Sequence, residues 1–139
     1  MNIRSRSLLT STLALLLTLA IPSVASATCP GGKTHDLKFK VKSDGCVEKV
    51  QKNSDDSDAD DTSVCAADTV TWKVSGPKKS VVFEGDSPFD WVDSGNQGNK
   101  IEGVVKSGAA KNGQRTEYKY SVTVEGKSCV FDPKIIVDP

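Results

Sequence analysis

Histidine and methionine are almost absent from this chain: its 139 residues hold one of each, His35 and Met1. A single imidazole excludes any metal centre that needs two, and it leaves one candidate general base. Asp36 does not serve that base as a catalytic partner, because adjacent residues on a strand point to opposite faces. No two cysteines form a C-x-x-C pair, which removes the usual zinc-ribbon and thiol-exchange motifs. No Gly-Lys-Ser/Thr follows Gly95 and Gly98, so they make no phosphate-binding loop. Basic residues form no stripe and do not interleave with aromatics, so neither nucleic acid nor an anionic membrane surface is an expected partner. Beyond residue 27, apolar side chains nowhere repeat at helical spacing, which excludes a helical core.

What is present begins with a leader. Arg4 and Arg6 precede an apolar run from Leu8 to Ile21, and Val24-Ala25-Ser26-Ala27 supplies the small residues that a signal peptidase reads. The apolar run is shorter than the roughly 20 residues needed to span a bilayer. Residues 1–27 are therefore expected to be a cleaved signal peptide, residues 28–139 a single domain, and the product secreted or periplasmic with no stable membrane insertion. Four cysteines, Cys29, Cys46, Cys65 and Cys129, survive cleavage and predict two disulfides in an oxidising compartment. Four cysteines allow three pairings, and the spacing alone does not choose among them.

Strands dominate the rest. Leu37, Phe39 and Val41 alternate with Lys38, Lys40 and Lys42, and Ser43-Asp44-Gly45 has the signature of a tight hairpin turn into a second strand, Cys46–Val50. Val70, Trp72 and Val74 share one face of a strong central strand, and Ser80–Glu84 is the next. Tyr118, Tyr120, Val122 and Val124 alternate with polar residues, and Lys134–Val137 closes the chain. Asp93 to Gly113 reads as a long loop holding a minor edge strand at Ile101–Val105. The fold class is all-β, with about seven strands in two packed sheets that bury their apolar faces against each other.

Two stretches are candidate sites. Five aspartates lie within Asp55–Asp61, and residues 53–62 read as a solvated acidic loop; Asp56, Asp58 and Asp60 have the alternate spacing of weak calcium ligands. Asp61 stands where an EF-hand needs glycine, and Ala67 where it needs a bidentate glutamate. Gly85–Val92 reads as a loop carrying two aromatics, and with the polar stretch after it supplies Phe89, Trp91, Asn96 and Asn99 as a possible partner-binding loop. Aromatics in such loops more often plug the open end of a β core.

Three segments together resemble the cupredoxin family, the β-sandwich of plastocyanin-like blue copper proteins. Asp68-Thr69-Val70-Thr71-Trp72-Lys73 is similar to the strand that opens its central hairpin. Pro77-Lys78-Lys79-Ser80-Val81-Val82-Phe83-Glu84 is similar to its P-H-N-V-V-F-D pattern, and Tyr118-Lys119-Tyr120-Ser121-Val122 to its Y-x-F-x-C, with Ile135-Ile136-Val137 as the final strand. The resemblance implies a mixed Greek-key sandwich, but Lys79 stands where the first copper histidine belongs and Val122 where the cysteine belongs. A type 1 centre needs two imidazoles and a thiolate, so this chain cannot build one. The implied topology also gives a disulfide map, Cys29–Cys65 and Cys46–Cys129, with Cys46–Cys65 as the alternative.

No catalytic residue and no cofactor is expected. The sequence supports an exported, non-catalytic binding module on a copper-free scaffold, its partner an unknown protein or small ligand. The alternative is a periplasmic metal-handling protein, binding calcium at the acidic loop or Cu(I) through reduced cysteines.

Overall fold

The computed structural model describes residues 28–95 and 99–139. The expected signal peptide, residues 1–27, and its expected cleavage site after Ala27 lie outside the described residues. Among the described residues ten strands run in chain order: β1 (Thr34–Val41), β2 (Val47–Lys52), β3 (Asp61–Val64), β4 (Thr69–Lys73), β5 (Lys79–Phe83), β6 (Phe89–Asp93), β7 (Lys100–Val105), β8 (Thr116–Val124), β9 (Val130–Phe131) and β10 (Lys134–Val137). The only helical element among the described residues is one 3-10 turn, Lys111–Gly113.

They form two sheets, β2-β1-β4-β7-β6 and β3-β10-β8-β5, with β9 pairing β8. Both sheets are mixed, because β1 runs parallel to β4 and β10 runs parallel to β3 while the other pairs are antiparallel. Each sheet is apolar on its inner face: Leu37, Phe39, Val70, Trp72, Ile101 and Val105 from one meet Tyr120, Val122, Val124, Ile135 and Val137 from the other in a single core. The chain is thus an all-β sandwich, the architecture that two half-apolar sheets reach by covering one another.

Several local expectations are corrected. The acidic stretch is not loop throughout: Asp61–Val64 is strand β3, with Thr62 and Val64 turned inwards between Asp61 and Ser63. Ile101–Val105 is no edge strand; β7 lies between β4 and β6. Gly85–Val92 is only partly loop, since Phe89–Asp93 is strand β6 on β7. Val41 is half exposed rather than buried, because the β1–β2 register slips between Lys40 and Val41 and rotates it off the inner face. The turn after β1 forms at Ser43-Asp44-Gly45, closed by the Gly45 N–H to the Lys42 carbonyl at 3.0 Å, with Gly45 at φ 85° where only glycine is unstrained.

Cys29 is bonded to Cys65 and Cys46 to Cys129. The first bridge ties the segment before β1 to the end of β3. The second ties the start of β2 in one sheet to the loop after β8 in the other, so it staples the two layers directly. No free cysteine remains.

Candidate functional site

The sandwich is open along the side where β5 ends one sheet and β6 ends the other. Between these edges lies a groove of about 250 Å³ lined by Val81, Val82, Phe83, Gly85, Ser87, Trp91, Ser94 and Ile101. Its floor is the end of an aromatic column that starts in the core. Trp72 sits there with its ring centroid 5.6 Å from Phe89 and 5.7 Å from Tyr120, both edge to face, and its indole N–H donates to the Tyr120 hydroxyl at 3.2 Å. Burial pushes the Tyr120 phenol far above the usual tyrosine range, so it remains a neutral partner for the indole. Phe83 and Phe89 carry the column outwards to Trp91, at centroid distances of 6.1 and 5.6 Å.

Phe89 and Trp91 share a loop in the sequence reading but divide in the structure. Phe89 is 1% exposed and plugs the core, whereas Trp91 is 39% exposed and forms the groove wall. Phe89 fits flat on β7 because Gly103 lies beneath it: a Cβ at Gly103 would stand 2.7 Å from Phe89 Cβ. Asn99 is exposed and its carbonyl accepts the Val74 N–H at 3.0 Å; Asn96 lies outside the described residues. Val82, which lines the groove with Trp91, and Val92, next to Trp91 in the chain, are 59% and 63% exposed.

A second cavity, about 350 Å³, opens beside His35, Lys52, Asn53 and Thr62. Here the sequence reading missed a pair. His35 Nε2 lies 2.8 Å from Asp68 Oδ2, brought there because β1 runs parallel to β4 and sets Thr34 beside Thr69. Asp68 also accepts the backbone N–H groups of Lys33 (2.8 Å) and Cys65 (2.9 Å), and it is buried. Burial alone would raise its pKa, but the Cys65 and Lys33 amides and the His35 ring together outweigh burial and hold the carboxyl below its ordinary 3.8. Through the Cys65 amide the pair fastens the Cys29–Cys65 corner.

A group whose folded pKa is depressed contributes stability above its unfolded value and loses it as pH falls through the folded value. The protein is therefore expected to lose stability below about pH 4 in part through Asp68. Asp68→Asn should cost about 2 kcal/mol at neutral pH and show a flatter acid limb in urea titrations. Parallel acid limbs for the two proteins would contradict this.

The acidic stretch uses its carboxylates locally. Asp60 Oδ1 accepts the Val50 N–H at 2.7 Å, Asp58 Oδ1 accepts the Asp60 N–H at 2.9 Å, and Asp56 pairs with Lys38. Burial raises the Asp60 pKa, with the Asp58 and Asp61 charges adding to it against the Val50 amide. Asp56, Asp58 and Asp60 therefore do not converge, and no group of three metal-binding side chains occurs among the described residues.

Lys79 is buried, with its Nζ donating to the carbonyl oxygens of Ser75 (2.7 Å) and Pro77 (3.2 Å). Burial lowers its pKa from the usual lysine range. It shares the inner face with Val81, Val122 and Val124, an ammonium tethered to the Ser75–Pro77 turn. No family model matches the chain, and no curated protein matches it.

Proposed function

We propose that this protein is an exported, non-catalytic binding module on a copper-free, cupredoxin-like scaffold, and that its ligand face is the groove between β5 and β6. The observation that carries this reading is Trp91: a large aromatic held half exposed by ring contacts to Trp72, Phe83 and Phe89, all on strands of a stapled frame. A rigid aromatic presented at low entropic cost is the usual anchor of a recognition surface. Two disulfides fit an oxidising compartment, and no helix among the described residues is long and apolar enough to cross a membrane.

The metal-handling alternative has less support. The four Sγ atoms are engaged in disulfides, and the carboxylates of Asp58 and Asp60 accept backbone amides.

Trp91→Ser tests the reading, because Phe89→Ser would damage the core. The variant should unfold within about 1 kcal/mol of the parent, since the side chain is half exposed, yet lose what the parent recovers from its own compartment. Unchanged recovery rejects the groove.

A further inference from the structure

Exposed sheet edges invite pairing with another chain, and folded proteins defend them with charges, bulges or short strands. Three of the edges here are defended. Strand β2 carries Glu48, Lys49 and Lys52, β3 has only four residues and begins with exposed Asp61, and β6 is bulged between Trp91 and Asp93. Strand β5 is different. It pairs with β8 without a bulge, its one charge, Lys79, is buried inwards, and its solvent face carries Val82.

The backbone parity of β5 is fixed by two bonds to β8. The Glu125 N–H donates to the Lys78 carbonyl at 2.9 Å and the Glu84 N–H to the Lys119 carbonyl at 3.0 Å. Residues of even number thus bond to β8, and Lys79, Val81 and Phe83 turn their N–H and C=O groups to the open side. Among the described residues no strand pairs with that side.

We propose that this edge binds a second copy of the chain, β5 against β5, antiparallel about a two-fold axis at Val81. In that register Val81 meets the partner's Val81, and Lys79 meets the partner's Phe83, so every outward-turned backbone group finds its complement. On the solvent face Lys78 falls opposite the partner's Glu84, twice by symmetry. Both side chains are exposed, and neither enters an ion pair among the described residues. Within each subunit Lys78 is bonded through its backbone to Glu125 and Glu84 to Lys119. The dimer therefore sets charges of alternating sign in a row across the joined sheets, the arrangement that favours cross-strand pairs. Val81, Val82 and Phe83 also line the groove at Trp91, so this pairing and ligand binding there compete for one edge.

Sedimentation velocity on the exported protein tests it. A dimer is expected at concentrations of about 100 μM, the range in which a modest edge interface is populated. Val81→Pro should give a folded monomer, since Val81 donates no N–H within its own subunit and proline is tolerated on an edge. Lys78→Glu and Glu84→Lys should each weaken the dimer about tenfold by placing like charges opposite one another. The double variant should restore it, because the two-fold axis then pairs the exchanged charges. A monomer at these concentrations overturns the proposal, as does a dimer that neither proline nor single charge reversal weakens.

Discussion

Replacing Cys46 and Cys129 together by alanine is expected to lower the unfolding free energy by about 4.5 kcal/mol, the loop-closure value for the bridge's sequence separation of 83. The Cys29–Cys65 bridge closes a shorter loop, with a separation of 36, and its removal should cost about 4 kcal/mol. Domains of this size hold about 5–15 kcal/mol in all, so either loss removes a large share of what keeps the chain folded. The first loss should also differ in kind, because Cys46 and Cys129 belong to different sheets and their bond fixes how the layers face each other. Urea unfolding of parent and variant gives the comparison through the midpoint and slope. A loss below about 1 kcal/mol would mean that the unfolded chain keeps these segments together without the bond.

Trp72→Ala should cost about 3–5 kcal/mol, the range for removing a large buried aromatic. Trp72 is fully buried on β4, touches the rings of Phe89, Trp91 and Tyr120, and supplies the donor that meets the Tyr120 hydroxyl. Its loss leaves both a cavity and a buried phenol without that partner. Trp72→Phe separates the two effects, since it keeps a ring while removing the indole donor, and should cost about 1–2 kcal/mol. The chain has two tryptophans, so in either variant the fluorescence reports Trp91 alone. A red-shifted Trp91 spectrum in Trp72→Ala would show the column loosening outwards to the groove. An alanine variant as stable as the phenylalanine variant would contradict the central place given to Trp72.

The all-β class was legible because its strongest strands have clean alternation. Tyr118 to Val124 bury every second residue, and Val70, Trp72 and Val74 are all buried as the alternation implies, with Thr71 buried beside them. The elements that were not legible lack that signal for identifiable reasons. In β3 the inward pair Thr62 and Val64 holds only one apolar residue and follows directly on a run of aspartates whose composition reads as solvent-facing. In β6 the alternation is broken by the extra residue between Trp91 and Asp93, and Pro88 and Gly85 before it look like a loop. Thr34–Asp36 lies beside β4 in the parallel register, and local sequence says nothing about which strands run side by side; the contact of His35 with Asp68 follows only from that register. Nothing local in the sequence marks Lys79 as buried, and only the fold shows that its ammonium reaches back to the Ser75–Pro77 turn. The candidate site was half legible for the same reason. Two aromatics near a polar stretch stood out, but their division between core plug and exposed anchor depends on β6 lying on Gly103.

The central claim is that the ligand face of this protein is the groove at Trp91. The most direct measurement is an amide chemical-shift titration of residues 28–139 with whatever the protein recovers in a pull-down. The account predicts, at protein concentrations well below those that populate the β5 dimer, shifts gathered on Trp91–Ser94 and Val81–Phe83, absent in Trp91→Ser. Shifts gathered instead around His35, Lys52 and Thr62, and unchanged in that variant, would contradict it.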